Sequence, residues 1–453
     1  MKSTFLSQLA QRSNEPAISW LMRLTLDHPK LISLAAGFTD NNSLPVSQTL
    51  RLVEQILGGK KPGSSPLQYG STAGDPDLRR LTAHDLALLD GHAEARIYSA
   101  DRVLITNGSQ QLLYLLSECL CDPGDIVLVE DPSYFVFFGI AQSHGLQCRG
   151  ISMKDDGLDL DHLETRLSAL KRKKQLHRVK MLYLVSYFQN PSGVTTSLKK
   201  KAEALAILRR YEKDAGHPIF LLEDAAYREL RFYGPDVPSA LAIEGAAERV
   251  IYAGTYSKPF ATGMRVGFGL LPKALFENVY RIKSNHDFGT SNLLQHIMAR
   301  ALASGEYEAH LADLHYRYAR KAHAMTQALR EYFPTEVEWL EPAGGLYVWA
   351  RLPRRLKSGV KSDLFKSALK KNVLYVPGEL CYADDPTRPR PNHEMRLSFG
   401  GATQQEIGEG IARLGRLMAR SLEHKAVIRA IRAGKKSPVT SRKKVFTLLR
   451  GRK

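Results

Sequence analysis

Residues 255–272, TYSKPFATGMRVGFGLLP, place Lys258 and Arg265 seven positions apart among Thr255, Ser257 and Gly263. Two cations this close repel, so the stretch reads as built to receive an anion or to keep one amine uncharged. Upstream, RVLIT (102–106), DIVLVE (125–130), KMLYLVS (180–186), PIFLLED (218–224) and RVIYAGT (249–255) are short apolar runs rich in β-branched residues. Helix-like segments such as SQQLLYLLSECL (109–120) and SLKKKAEALAILRRYEKDAG (197–216) separate them. Strands alternating with helices predict an α/β fold with a doubly wound, mainly parallel sheet. Ligands of such sheets bind beyond the carboxyl ends of the strands. The opening stretch leaves the last of those ends.

Downstream, the long helical stretch from SNLLQHIMARALASG to HYRYARKAHAMTQALREYF precedes three strand signals, GGLYVWARLP (344–353), NVLYVPG (372–378) and MRLSFG (395–400). A last helix begins with Thr403 and Glu406 in capping-box spacing. The expected organisation is an N-terminal segment (1–45) packing with a smaller α+β domain (310–424), a large domain (46–309), and a basic tail (425–453).

Five loops leave the first set of strands. After RVLIT, Asn107-Gly108-Ser109-Gln110 opens a helix; Ser109 can cap it, and the free N–H groups and helix dipole favour an anion. After DIVLVE, the turn Asp131-Pro132-Ser133-Tyr134 offers an aromatic ring for stacking. After KMLYLVS, the turn from Tyr187 to Gly193 offers the Asn190 amide. PIFLLED ends at Asp224, a carboxylate costly to bury without a partner, with Tyr227 three residues on. Taken singly, each is also an ordinary cap, turn or packing residue. In the fifth loop Lys258 can form a Schiff base with a carbonyl compound, and Arg265 and Thr255 can join Ser109 around a phosphate. Pyridoxal 5'-phosphate presents an aldehyde, a ring nitrogen, a phenolic oxygen and a phosphate, and these loops answer all four.

On these motifs the chain resembles the fold-type I, pyridoxal-phosphate-dependent aminotransferases of class I and II, in particular the kynurenine/2-aminoadipate aminotransferase-like subgroup, over about residues 12–420. GSQQ, DPSY, QNPSG, EDAAY and TYSKPFATGMRVG resemble the phosphate, ring-stacking, ring-oxygen, pyridine-nitrogen and Schiff-base motifs. The resemblance implies that Ser109, Gln110, Thr255 and Arg265 hold the phosphate, that Tyr134 stacks on the ring, and that Asn190 and Tyr227 meet the ring oxygen. It implies a ring nitrogen paired with Asp224 and a cofactor tethered to Lys258. ISLAAGFTDNNSLP (32–45) resembles the segment that sets Gly37 near the substrate carboxylate, and in MRLSFG Arg396 holds the position that clamps that carboxylate. LQYGSTAGDPDLR (67–79) resembles the loop that sends Tyr69 across a homodimer to the neighbouring cofactor's phosphate. Departures are modest: Ala35-Ala36-Gly37 lacks the commoner paired glycine, Ser186 stands where proline often precedes QNP, and Thr255 replaces a frequent serine.

The implied activity moves an amino group from an aromatic, aminoadipate-like or long aliphatic L-amino acid to a 2-oxo acid in a ping-pong cycle. An eliminating or cyclising lyase or synthase on the same frame is the nearest alternative. A regulator with an aminotransferase-like domain would need a winged-helix module ahead of residues 32–45, where the sequence leaves no room. Tyr134, Tyr187 and Phe38 would suit an aromatic or long aliphatic substrate.

Composition agrees with a globular chain: 453 residues, 43% hydrophobic and 24% charged, with no apolar run of membrane-spanning length. The N-terminus shows no secretory pattern, and four cysteines without a CxxC pair imply reduced thiols, no metal site and a cytoplasmic location. The net charge of +18 is uneven, because residues 425–453 hold eleven Lys or Arg and no Asp or Glu. Such a tail reads as a solvated extension or as a contact for nucleic acid, an anionic membrane surface or an acidic protein, and it lacks the interleaved aromatics of a nucleic-acid reader.

Overall fold

In the computed structural model of the protein, residues 5–58, 64–92 and 96–432 are described. From residue 433 the expected basic tail lies outside them, while its first residues continue the backbone of the final helix, Gln404–Arg432.

Strand β1 (Ile32–Leu34) belongs to a sheet completed far downstream. The next eight strands form the larger sheet: β2 (Val103–Thr106), β3 (Ile126–Asp131), β4 (Gln147–Lys154), β5 (Gly157–Leu158), β6 (Val179–Val185), β7 (Phe220–Asp224), β8 (Val250–Thr255) and β9 (Gly267–Leu270). Their order across the sheet is β2-β9-β8-β7-β6-β3-β4-β5. The pairs β3–β4, β3–β6, β6–β7 and β7–β8 are parallel, whereas β9 runs antiparallel to both β8 and β2. Two reversals leave β2 running with the parallel set, so β2, β3, β6, β7 and β8 all end on one side. The near-continuous apolar runs fit a sheet covered on both faces, and β2, β7 and β8 are buried along their whole length.

The second sheet has five strands in the order β1-β12-β13-β11-β10, adding β10 (Glu338–Trp339), β11 (Tyr347–Arg351), β12 (Val373–Pro377) and β13 (Glu394–Ser398). β1 pairs parallel to β12, which attaches the N-terminal segment to residues more than three hundred positions away. The last helix starts with the expected capping box: Thr403 N–H donates to Glu406 Oε2 at 2.7 Å, and Glu406 N–H donates to Thr403 Oγ1 at 3.2 Å. Each sheet has its own core. The helix Glu306–Tyr332 feeds both, with Tyr307, Leu314 and Tyr318 in the first and Ala322, Met325 and Leu329 in the second.

Sequence periodicity misses β1, β4, β5, β9 and β10. Of these β9 is the informative case, because alternating glycines in GFGL hide a strand that separates β2 from β8.

Side chains alternate along β7, so Glu223 and Asp224 face opposite ways. Glu223 meets Lys201 at 2.7 Å, both side chains fully buried, and Lys201 also donates to Pro238 O at 3.0 Å and Tyr187 Oη at 3.1 Å. Removing one partner strands the other charge. Lys201→Met is expected to cost about 3–5 kcal/mol, read as a lower urea midpoint, and Lys201→Met with Glu223→Gln to recover a substantial part of it.

Candidate active site

The ends of β2, β3, β6, β7 and β8 open into a cavity of about 290 Å³. From the first loop, Ser109 and Gln110 line it. The helix Gly108–Leu120 begins differently from expectation: Asn107 is the N-cap and supplies no side-chain cap bond, so Ser109 is a residue of the first turn and not the cap. The Asn107 side chain instead donates to Asp287 Oδ2 at 2.7 Å. The helix therefore presents uncapped N–H groups towards the cavity. Gly108 has φ +73, and a Cβ there would stand 2.6 Å from Arg265 Nη2. A side chain there would strain the left-handed turn and push the guanidinium aside.

Tyr134 lines the cavity from the β3 loop, Asn190 from the β6 loop, and Asp224 and Tyr227 from the end of β7. Thr255, Lys258 and Arg265 follow β8. Arg265 itself takes a left-handed φ of 52, uncommon for a side chain of this size, and donates to Ser257 Oγ at 3.2 Å and Thr262 O at 3.3 Å. Gly37 enters from the N-terminal segment and Arg396 from β13. Eleven of the twelve expected site residues thus line one cavity. Tyr69 does not: it is 83% exposed and lies edge-on to Phe288 at 5.4 Å on the outer surface.

Lys258 Nζ donates to Gly37 O at 2.8 Å. Burial, then the positive charges of Arg265 and Arg396, lower its pKa to about 8. Asp224 is pushed up to about 6 by burial, against the opposing effect of hydrogen bonds from Tyr183 Oη (2.8 Å) and Ala226 N–H (3.1 Å). Arg396 is 1% exposed; Nη1 donates to Asn190 Oδ1 at 2.7 Å and Nη2 to Ala35 O at 2.6 Å. Its Nε finds no partner among the described residues. Asn190 in turn donates to Tyr227 Oη at 3.5 Å.

This set fits pyridoxal phosphate. An uncapped helix start beside Arg265 suits the phosphate, a buried acid suits a protonated ring nitrogen, and an amine of lowered pKa suits an aldehyde. The Arg396 guanidinium, lining the same cavity, suits a carboxylate.

Sequence reasoning gave no role to Ser257, Tyr347, Phe135, Val136, Ile18 or Met22, which also line the cavity. Tyr347 lies inside the quoted GGLYVW run, where alternation along the strand was the available signal. Ile18 and Met22 come from the helix Ala17–Asp27, and nothing in their local pattern separates a cavity face from a core face. Tyr187, expected near the substrate, is buried against Lys201 instead and does not line the cavity. Among the described residues no acidic, His and Cys group is placed to hold a metal ion, and no helix is long and apolar enough to cross a membrane.

Fold and site together define a pyridoxal-phosphate-dependent enzyme of fold type I. The family profile for aminotransferase class I and II matches residues 29–414, and the chain belongs to that family. It is 31% identical to aromatic-amino-acid aminotransferase 1 of Thermococcus litoralis over 90% of this chain and 93% of that one. With the 2-aminoadipate transaminase of Thermus thermophilus it shares 32% identity over 90% and 95%. A crystal structure of a Pyrococcus horikoshii kynurenine aminotransferase superposes with a TM-score of 0.83 at 30% identity, covering 92% of this chain and 98% of that one. The protein is therefore a transferase of amino groups, and the eliminating or cyclising alternative is not favoured.

The raised pKa of Asp224 has a signed consequence. In the cofactor-free protein, the native state holds this proton to about pH 6, whereas an unfolded Asp releases it near its ordinary value. Stability should fall as pH rises between those values, by up to ~3 kcal/mol. The melting temperature of the apoenzyme should drop over that window relative to Asp224→Asn, and parallel pH curves for the two would contradict the assignment.

Proposed function

We propose that this aminotransferase takes the amino group of an aromatic, long aliphatic or aminoadipate-like L-amino acid and passes it to a 2-oxo acid in a ping-pong cycle. The observation that carries the reading is the convergence of a partly neutral Lys258 amine, the Asp224 carboxyl and the Arg396 guanidinium on one cavity. The names of the relatives support this range of donors, as do the apolar side chains of Ile18, Met22, Phe38 and Val136 lining the cavity.

When bound, pyridoxal phosphate supplies the aldehyde that takes up the amine and a cationic ring that accepts the electron pair of the broken Cα–H bond. The protein does the rest. Arg265, Thr255, Ser109, Gln110 and the first N–H groups of the helix hold the phosphate, with Tyr69 of a second subunit completing it across a homodimer. Asp224 keeps the ring nitrogen protonated, Tyr134 covers the ring face, and Tyr227 and Asn190 meet the ring oxygen. Arg396 receives the substrate carboxylate, with Gly37 beside it. That grip turns the Cα–H bond towards Lys258, whose Nζ takes the proton. Burial, and then repulsion from Arg265 and Arg396, makes this amine a base near neutral pH.

The same reading keeps residues 46–309 as the cofactor-binding domain, 310–424 as the smaller domain and 1–45 as a lid, supported by the two separate cores. It assigns the protein to the cytoplasm, which accords with four free cysteines.

Lys258→Ala should bind the cofactor yet lose at least about 10³-fold in the single-turnover conversion of bound aldehyde to amine, followed by absorbance. Turnover near the wild-type rate would end the assignment. Arg396→Lys should raise KM for the amino acid by roughly tenfold to a hundredfold, the scale of a lost charged hydrogen bond, with a smaller effect on kcat. An unchanged KM would place the carboxylate elsewhere.

A further inference from the structure

Tyr347, the first residue of β11, touches both halves of the site. In the pairing of β11 with β13, Trp349 stands opposite Arg396 and Tyr347 opposite Ser398. Tyr347 is thus the diagonal neighbour of Arg396 on one face, within aromatic reach. Its ring carries the Arg396 guanidinium, whose central carbon lies 4.2 Å from the ring centroid. Its hydroxyl lies 3.1 Å from that of Tyr227, the two rings edge-on at 5.6 Å. The backbone facing that hydroxyl is Gly37, where a Cβ would stand 2.7 Å from the Tyr347 oxygen. Only glycine there leaves room for a tyrosine opposite.

We propose that Tyr347 is a positioning residue that couples the substrate-carboxylate clamp to the donor at the cofactor's ring oxygen, through its ring face under Arg396 and its hydroxyl on Tyr227. The proposal rests on the roles given above to Arg396 and Tyr227. Between two hydroxyls one donates and the other accepts. Tyr227 needs its own proton for the ring oxygen, so Tyr347 donates to the Tyr227 oxygen. The Asn190 amide sends its N–H the same way, because its oxygen is already taken by Arg396. Donors onto the Tyr227 oxygen polarise its O–H and strengthen the bond it gives. Burial keeps that phenol protonated well above its ordinary range, so it acts as a donor throughout neutral pH. On the other side, Ala35 O and Asn190 Oδ1 hold the two terminal nitrogens of Arg396, and the Tyr347 ring, nearer than that of Phe135, fixes the plane of the guanidinium.

The two contributions are separable, because phenylalanine keeps the ring and loses the hydroxyl. In the Tyr347→Phe holoenzyme, the pH at which the visible absorption band changes should move upward, since a weaker Tyr227 bond leaves the ring oxygen to hold the proton of the lysine linkage. KM for the amino acid should stay within about twofold of wild type. Tyr347→Leu should show the same spectral shift and also raise KM about tenfold for the amino acid, but not for the corresponding amine lacking a carboxylate. A Tyr347→Phe titration superimposable on wild type overturns the hydroxyl's role, and equal KM values for the Phe and Leu variants overturn the ring's. If Tyr227→Phe leaves the spectral titration unmoved, the reading of Tyr227 itself fails and takes this proposal with it.

Discussion

Three cations in one small cavity govern this molecule. Lys258, Arg265 and Arg396 line the same space, and among the described residues Asp224 is the only acidic side chain that does. Like charges in a poorly screened site repel strongly. Burial first, and then that repulsion, makes Lys258 lose its proton more readily, whereas a guanidinium stays charged. The cavity is therefore set up for two anions, one at each guanidinium, and for a neutral amine between them. A cofactor phosphate and a substrate carboxylate meet that demand.

Positioning those charges takes two sheets. Parallel strands aim five loops to one side, which brings residues from 109 to 265 together without any one loop being long. Arg396 comes from the other sheet and is tied by one nitrogen to the β6 loop and by another to the N-terminal segment. The three segments are thus joined at the group that would grip substrate. The site lies on the seam between two cores, where a helix shared by both, Glu306–Tyr332, runs continuously.

Much of this was legible in the sequence because the parallel strands are apolar throughout and their ends are marked by turn residues. Asp224 stands out as an acid closing an apolar strand, and Lys258 as an amine following one. What stayed hidden depends on contacts between distant segments. The glycines of β9 carry no strand signature, yet that strand decides the neighbours of β2. Ser109 looks like a cap by its residue type, but the N-cap falls two positions earlier, at Asn107, and Ser109 becomes a residue of the first turn. Tyr347 reads as one more strand aromatic, and its place beside both Tyr227 and Arg396 follows only from cross-strand register.

The remaining buried acids explain why Asp224 keeps its influence. Glu130 on β3 and Glu223 on β7 are also fully buried close by. Glu223 is matched by Lys201 on the face away from the cavity, so its charge is balanced locally. Glu130 accepts hydrogen bonds from Val185 N–H and Gln189 Nε2 through one oxygen, while the other has no partner among the described residues. Burial lifts its pKa to about 8, with the Asp224 charge adding to the rise. At neutral pH Glu130 is mostly uncharged, and a neutral neighbour does not push Asp224 further from ionisation. One acid is neutralised by a cation and another by its own proton. The negative charge left to face the cavity is that of Asp224, and a protonated ring nitrogen is the partner that removes the cost of burying it.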